Sequence, residues 1–120
     1  MSQLVKGFGF EKYLNYYFKD LSTGNRKKAF LIIGFALELP LLILDEPLDG
    51  LDYLASEYLY KEIIEYKKYG SVLMSSHIAE SIEKTCDKLL VLNEGKIESY
   101  KFESGDKVRD LLEGWLNDIN

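Results

Sequence analysis

Cysteine, proline and histidine are scarce in this chain of 120 residues, and each shortage narrows the classes of protein that fit. The single cysteine, Cys86, cannot form an internal disulfide, which indicates a reducing compartment rather than a secreted disulfide-rich fold. No cluster of cysteine and histidine has the spacing of a zinc site. The two prolines, Pro40 and Pro47, bracket one short apolar run, and no proline-rich linker or internal repeat occurs. We therefore expect one domain.

Long hydrophobic runs and an excess of basic residues are also missing. The longest apolar stretch, residues 29–44, is interrupted by Glu38 and Pro40, so it is too broken for a transmembrane helix. Lys and Arg total 15 and Asp and Glu total 20, which gives a net charge of −5. This acidic balance argues against non-specific binding of nucleic acid, since that affinity comes from neutralised phosphates. We expect a soluble chain or a peripheral subunit.

The hydrophobic pattern alternates between strands and helices along most of the chain. Short apolar runs predict four strands, the last two joined as a hairpin, over residues 41–44, 71–75, 88–92 and 96–101. Helical spacing predicts helices over residues 10–18, 25–39, about 52–69, 79–85 and from 108 onward. The first strand is apolar at every position, which is typical of a strand buried on both faces of a parallel sheet. The predicted fold class is α/β, with a mostly parallel sheet flanked by helices, a C-terminal β-hairpin and a final helix.

Apolar residues recur at helical spacing on three of these helices. On the helix over residues 25–39 they are Phe30, Ile33, Gly34 and Leu37. On the helix that Asp52 is expected to cap they are Ala55, Leu59, Ile63 and Tyr66. On the C-terminal helix they are Val108, Leu111, Leu112, Trp115, Leu116 and Ile119.

Two adjacent carboxylates, Asp45 and Glu46, end the first predicted strand. Ligands of parallel sheets bind beyond the carboxyl ends of the strands, so this is a candidate site. Asp45 could hold a hydrated Mg²⁺, a hard cation that keeps several waters. Glu46 could then orient or deprotonate an attacking water. The alternative is an acidic exit from a strand, which is common in α/β proteins.

The segment 21–25, Leu-Ser-Thr-Gly-Asn, opens the helix over residues 25–39. Free N–H groups at such a helix start can bind an anion, Ser22 adds a hydroxyl, and Gly24 allows close approach of a phosphate. Three cations in the first turn oppose the helix dipole, a conflict that a bound polyanion would relieve: Arg26, Lys27 and Lys28. The alternative is a plain helix cap followed by a solvated basic turn.

The only histidine, His77, follows the second predicted strand and is expected at the same sheet edge as Asp45. A neutral imidazole there could donate to a phosphate or orient a carboxylate. An ordinary loop histidine is the simpler interpretation. Cys86 is best explained as a small packed side chain.

In combination, these signals form a long ordered constellation that resembles the ATP-binding subunits of ABC transporters. The family's signature motif, Leu-Ser-Gly-Gly-Gln, is similar to residues 21–25, and its Walker B strand is similar to residues 41–45. The D-loop corresponds to Leu48-Asp49-Gly50-Leu51-Asp52, and the switch histidine to His77. The resemblance covers roughly residues 8–100, with four motifs in family order.

Two substitutions and two absences depart from the family pattern. Thr23 stands where the family has a glycine, and Asn25 where it has Gln. The 120 residues contain no Gly-x-x-x-x-Gly-Lys-Ser/Thr phosphate loop, which would cradle the nucleotide's β- and γ-phosphates. The family's loop with a magnesium-contacting glutamine is also absent. The expectation is a partial P-loop NTPase domain that comprises only the C-terminal half and is inactive in isolation.

The resemblance implies a site for ATP and Mg²⁺ in the complete domain. It assigns Glu46 as the catalytic glutamate, His77 to the γ-phosphate and Asp45 to Mg²⁺ through water. It assigns nucleotide binding to Ser22, Gly24, Asn25 and Asp52, with Ser22 and Gly24 contacting the nucleotide of an opposing subunit. The implied partners are a second ABC ATPase subunit and a transmembrane permease, with the chain in the cytoplasm on the inner face of the membrane.

The implied layout divides the chain into three parts. Residues 1–39 would end the helical subdomain and carry the signature helix, residues 40–103 would run from Walker B through the switch histidine, and residues 104–120 would form the C-terminal helix. Two hypotheses stay open. The chain is part of an ABC ATPase, or it is a short binding or regulatory module that docks on a full-length ABC ATPase without hydrolysing ATP.

Overall fold

A computed structural model describes residues 1–119, and side chains are described through residue 113. The chain divides into two compact units, Met1–Ser76 and His77–Asn120. The first unit contains, in chain order, α1 (Ser2–Gly7), α2 (Thr23–Ala36), β1 (Leu41–Asp45), α3 (Tyr53–Tyr66) and β2 (Ser71–Ser75). The second contains α4 (Ala79–Thr85), β3 (Lys88–Asn93), β4 (Lys96–Lys101) and α5 (Val108–Ile119).

Strands β1 and β2 form the parallel pair of the first unit, as the alternation of strand and helix predicts. They pair in register from Leu41 opposite Ser71 to Asp45 opposite Ser75. The connection between them contains α3, because parallel strands need a long crossover. Both strands end at the same level, so residues 45 and 75 lie side by side at one edge of the sheet.

The prediction that β1 is buried on both faces is wrong for this chain. Leu44 is buried and Leu42 half-buried, but Leu41 and Ile43 remain 52% and 64% exposed. Leu73, the partner of Ile43 on β2, is also exposed. The two faces differ because α2 packs beside Leu42 on one face, whereas Leu41 and Ile43 on the other face stay exposed.

Helix α2 begins at Thr23, two residues before the predicted start at residue 25, and ends at Ala36, three residues before the predicted end. Its buried face consists of Lys28, Leu31, Ile32 and Phe35. The residues with the predicted helical spacing lie on another side, where Phe30, Ile33 and Leu37 are exposed. The spacing therefore predicted a helix correctly but marked an apolar stripe that the first unit leaves uncovered.

Helix α3 carries the core of the first unit. Its predicted face is confirmed, since Ala55, Leu59, Ile63 and Tyr66 are all buried. The ring of Tyr66 meets Phe35 of α2 edge-on, with centroids 5.9 Å apart, and its hydroxyl donates to the Leu39 carbonyl. This contact fixes the chain just before β1 enters the sheet.

The aromatic segment 10–18 is not the helix that the sequence predicts. Two short 3-10 turns, Glu11–Tyr13 and Phe18–Asp20, occupy this region. Phe10 is buried, but most of the other rings are exposed, so the segment lacks the one-sided burial that stabilises an amphipathic helix. Helix α1, for which the sequence carries no clear signal, packs instead, and Phe8 beyond its end is buried edge-on against Tyr58.

The second unit is built around the predicted hairpin. Strands β3 and β4 pair antiparallel from Lys88 opposite Lys101 to Asn93 opposite Lys96. The turn between them uses Glu94 and Gly95, both at positive φ, as a two-residue hairpin turn requires. Helix α5 forms as predicted with Val108 buried; the predicted contacts of Trp115, Leu116 and Ile119 lie outside the described side chains. Among the described helices, none has the length and apolar character needed to span a bilayer.

Candidate functional site

The carboxyl end of β1 holds the acidic pair, and a serine from β2 organises it. The Ser75 hydroxyl donates to Oδ1 of Asp45 at 2.6 Å and accepts from the backbone N–H of Glu46 at 2.9 Å. Both contacts arise because the parallel register places residue 75 directly beside residue 45. The Asp45 carboxylate is thereby oriented while it remains exposed to solvent.

Glu46 has a backbone conformation that is unusual for a residue with a side chain. Its φ is +45°, in the left-handed region that costs roughly 1 kcal/mol or more outside glycine. Its carbonyl accepts from Nζ of Lys27 at 3.0 Å and from the N–H of Asp49 at 3.2 Å. Together with the Ser75 contact, these bonds to its main chain hold the strained turn at Glu46, whose side chain is half-buried.

The signature segment adopts the helix-start geometry that the sequence predicts. Ser22 caps α2, and its Oγ accepts from the N–H of Asn25 at 3.1 Å. Gly24 lies so close to the D-loop that a Cβ on it would overlap the carbonyl oxygen of Gly50. Gly50 itself has φ +81°. The signature segment and the D-loop are therefore in direct backbone contact.

The three cations of α2 are held by groups of the chain itself, so the predicted conflict that a bound polyanion would relieve does not arise. Arg26 donates to the carbonyls of Phe18 and Lys19, at 3.2 and 2.8 Å. Lys27 donates to Glu46, and Lys28 pairs with Asp52. These contacts tie the first turn of α2 to the loops around it.

The Lys28–Asp52 ion pair joins the signature helix to the D-loop. Lys28 Nζ lies 3.3 Å from Oδ2 of Asp52, and the Lys28 side chain is only 10% exposed. Asp52 also caps α3, where its Oδ1 accepts from the N–H of Ala55 at 2.8 Å. The Ala55 hydrogen bond and the Lys28 charge hold the pKa of Asp52 below its ordinary value, although partial burial opposes them.

The structure thus brings together six of the seven predicted site residues within the first unit. Ser22, Gly24, Asn25 and Asp52 belong to the signature and D-loop contact, and Asp45 and Glu46 to the strand end. His77, the seventh, is exposed and is the first residue of the second unit.

The donor set at the strand end suits a hydrated Mg²⁺. Asp45 presents an exposed carboxylate with one oxygen held by a hydroxyl, which is the type of hard oxygen ligand that Mg²⁺ takes through water. The Ser75 hydroxyl adds a second oxygen at the same edge. These residues therefore fit the ion that the sequence resemblance implies.

Sequence reasoning missed two residues that shape this site. Ser75 is predicted only as the last residue of a strand, although two five-residue strands in parallel register must bring their last residues together. Lys28 is predicted only as one of three first-turn cations that are either balanced by a bound polyanion or solvated. Its spacing from Leu31, Ile32 and Phe35 places it on the buried face of α2, which is the signal that could have identified it.

Comparison with solved structures defines the class of fold. The chain matches the ATP-binding subunit of an ABC transporter with a TM-score of 0.84 and 29% identity, over 95% of this chain and 52% of that one. An ATP-binding cassette of an ABC transporter in its ADP conformation matches with a TM-score of 0.67 and 16% identity, over 92% of this chain and 44% of that one. The fold is that of an ABC ATPase domain, a P-loop NTPase fold.

Curated relatives point to the same family. The chain is 40% identical to the ABC transporter ATP-binding protein AlbC of Bacillus subtilis, over 81% of this chain and 41% of that protein. It is 40% identical to the ABC-type transporter ATP-binding protein EcsA of Bacillus subtilis, over 78% of this chain and 38% of that protein. It is 36% identical to the energy-coupling factor transporter ATP-binding protein EcfA2 of Clostridium perfringens, over 80% of this chain and 34% of that protein.

Over most of its length the chain is similar to ABC transporter ATP-binding proteins, and it spans about two fifths of the length of the relatives AlbC and EcsA. A scan against protein-family models matched none.

Proposed function

We propose that the chain contributes to ATP binding and hydrolysis in an ABC transporter, coupling hydrolysis to membrane transport. The observation that carries this proposal is the strand end, where Ser75 orients Asp45 and fixes the backbone of Glu46. Relatives of the chain are ABC transporter ATP-binding proteins, which supports the same function.

Each site residue has a proposed role. Asp45 holds Mg²⁺ through water, and Glu46 accepts the proton of the attacking water. His77 contacts the γ-phosphate. Residues of the signature and D-loop contact the nucleotide of an opposing ATPase subunit: Ser22, Gly24, Asn25 and Asp52. When bound, Mg²⁺ neutralises charge that develops on the phosphates.

The proposed partners follow from this role. A second ABC ATPase subunit supplies the opposing half of the nucleotide site, and a transmembrane permease receives the conformational change. The chain would then lie in the cytoplasm at the inner face of the membrane.

None of the 120 residues forms a phosphate-loop motif, which supplies most phosphate contacts in this type of site. We therefore expect the chain alone to bind Mg-ATP no tighter than about millimolar, roughly −4 kcal/mol. Isothermal titration calorimetry of the chain with Mg-ATP tests this expectation. Micromolar affinity would contradict it.

The role of Glu46 is tested once a phosphate-loop half from a relative such as AlbC is joined to the chain. Glu46→Gln should abolish ATP turnover while ATP binding persists, because the amide keeps the shape but accepts no proton. Glu94→Gln, in the exposed hairpin turn, is the matched control and should turn over normally. Near-normal hydrolysis by Glu46→Gln would remove Glu46 from the role of base.

A second candidate is a regulatory module that docks on a full-length ABC ATPase and hydrolyses no ATP itself. The contact between Gly24 and Gly50 supports it, since the signature segment is preformed without a phosphate loop. Adding the chain to a purified full-length relative and measuring ATPase rate tests this candidate. A rate unchanged at saturating chain concentration would exclude it.

A further inference from the structure

Lys27 is a cation of α2 whose hydrogen-bond partner, within the described part of the chain, is a main-chain carbonyl. Its Nζ lies 3.0 Å from the carbonyl oxygen of Glu46, and the contact is partly buried. A protonated amine that donates to a carbonyl forms a charge-assisted bond, which is stronger than a bond between two neutral groups. The next residue, Lys28, pairs with the carboxylate of Asp52 instead. Lys27 is thus the lysine of α2 that is committed to the end of β1.

Both peptide planes that flank the Cα of Glu46 are held by side chains from other elements. The N–H of Glu46 belongs to the plane before this Cα, and it donates to Oγ of Ser75 at 2.9 Å. The carbonyl belongs to the plane after it, and it accepts from Lys27. Because each peptide unit is planar, fixing the two planes sets φ and ψ of Glu46 and therefore the direction of its Cα–Cβ bond. A non-glycine residue at φ +45° keeps such a conformation only where the surrounding structure holds it.

The Glu46 carbonyl also has a local hydrogen bond, which is the weaker of the two. The N–H of Asp49 donates to it at 3.2 Å from within the same turn. A neutral donor at this distance binds less strongly than an ammonium, and it moves together with the turn. The bond from Lys27 is therefore the one that ties the Glu46 carbonyl to α2.

We propose that Lys27 is a positioning residue for Glu46, an inference that rests on the proposed role of Glu46 as proton acceptor. The ammonium holds the main chain of Glu46 and so fixes the direction in which its side chain leaves the turn. A misplacement of about 1 Å in a catalytic group can cost about a hundredfold in rate. Loss of the Lys27 bond should therefore slow hydrolysis without weakening ATP binding.

The same bond connects two nucleotide sites. Under the proposed function, Ser22 and Gly24 contact the nucleotide of an opposing subunit, whereas Glu46 acts in the site of its own chain. Lys27 follows Gly24 by three residues, which is about 4.5 Å along the axis of α2 and less than one helical turn. A shift at the start of α2 is therefore passed to the Glu46 carbonyl through one side chain.

Steady-state hydrolysis by the chain joined to a phosphate-loop half of AlbC tests the positioning role. Lys27→Met keeps the apolar stem and removes the donor, so kcat should fall at least about thirtyfold while KM for ATP stays within about threefold and the amount of ATP bound is unchanged. Lys27→Arg should restore kcat to within about fivefold, because a guanidinium also donates to a carbonyl. Lys61→Met, at an exposed position of α3, is the matched control and should turn over normally.

The outcomes separate this inference from the proposed function. Wild-type kcat in Lys27→Met, together with lost turnover in Glu46→Gln, would overturn the positioning role and leave the proposed function standing. Near-normal turnover in Glu46→Gln would overturn both. A fall in the kcat of Lys27→Met that is matched by a fall in the amount of ATP bound would show that Lys27 acts only on folding, which would also overturn the positioning role.

Hydrogen-exchange NMR of the 120-residue chain by itself gives a second measurement that needs no ATP. Lys27→Met should speed exchange of the Glu46 and Asp49 amides at least about fivefold, because both amides donate within the turn that Lys27 holds. The amide of Leu59, which is buried in α3, should change less than about twofold. Unchanged exchange at Glu46 and Asp49, or an equal rise at all three amides, would overturn the proposal.

Discussion

The ammonium of Lys28 reaches across from the signature helix to the carboxylate of Asp52, with 3.3 Å between Nζ and Oδ2. The two partners differ sharply in environment: the Lys28 side chain is 10% exposed and that of Asp52 is 64% exposed. Removing Asp52 therefore leaves a nearly buried ammonium without a partner carboxylate, whereas removing Lys28 leaves a carboxylate that is exposed to solvent.

Removing Asp52 should cost more stability than removing Lys28. Asp52→Ala removes the cap of α3 and leaves a nearly buried ammonium without its carboxylate, so we expect a loss of about 2–3 kcal/mol. Lys28→Met keeps the cap and the apolar stem and leaves only an exposed carboxylate, so the loss should stay below about 1 kcal/mol. Urea unfolding of both variants measures the difference, and equal losses would contradict the asymmetry.

The same carboxylate should make stability depend on pH in the acid range. The folded-state pKa of Asp52 lies below its ordinary value of 3.8, so its contribution is complete above that value and is lost as pH falls through the folded-state pKa. Asp52→Asn keeps a cap but no charge. The stability gap between wild type and Asp52→Asn should be largest near pH 6 and narrow towards pH 2.5.

The control for this pH effect is the same pair of proteins in a Lys28→Met background. The gap near pH 6 should then be smaller but not zero, because the hydrogen bond from Ala55 to Asp52 remains. A gap between wild type and Asp52→Asn that is constant from pH 6 to 2.5 would show that the charge of Asp52 adds nothing to folding.

Gly24 and Gly34 provide a matched pair of glycines within α2. Alanine in a helix interior is favoured over glycine by about 1 kcal/mol. Gly34→Ala should be near neutral or stabilising, since its Cβ would approach only a flexible methyl of Leu42 at 3.2 Å. Gly24→Ala should destabilise by about 1–3 kcal/mol, because its Cβ would overlap the backbone of Gly50. Thermal unfolding of the Gly24→Ala and Gly34→Ala variants measures the two changes in stability. A Gly24→Ala variant as stable as the wild type would refute the close contact between Gly24 and Gly50.

The hydroxyl of Ser75 should protect the backbone amide of Glu46 from hydrogen exchange with solvent. Ser75→Ala removes the acceptor for the Glu46 N–H, so we expect that amide to exchange at least about tenfold faster and stability to fall by about 1 kcal/mol. Ser75→Thr should restore protection, because it keeps the hydroxyl. Ser71→Ala, at the other end of β2, is the control and should leave the Glu46 amide unchanged in hydrogen-exchange NMR.

Local signals allowed much of the first unit to be predicted from the sequence. Ser22 and Asp52 were expected at helix starts, and both cap helices, because a cap depends on only three following residues. The apolar run at 41–44 predicted β1 for the same reason, since no distant residue is needed to recognise it.

Features that depend on distant residues could not be read in this way. Which face of β1 is exposed depends on the elements that pack against the strand. The pattern of apolar residues within the strand carries no information about that packing. The role of Ser75 depends on a register with a strand 30 residues away. The positive φ of Glu46 likewise follows from bonds to Lys27 and Ser75 rather than from its own preference.

The two strand pairs also differ in how soon they can form. The hairpin β3–β4 closes through a turn of two residues, Glu94 and Gly95, and hairpins of this type form in about 1–10 µs. The pair β1–β2 must first close a crossover that contains the whole of α3. During refolding, amides of β3 and β4 will therefore gain protection first, and the edge that carries Asp45 and Glu46 will be assembled last.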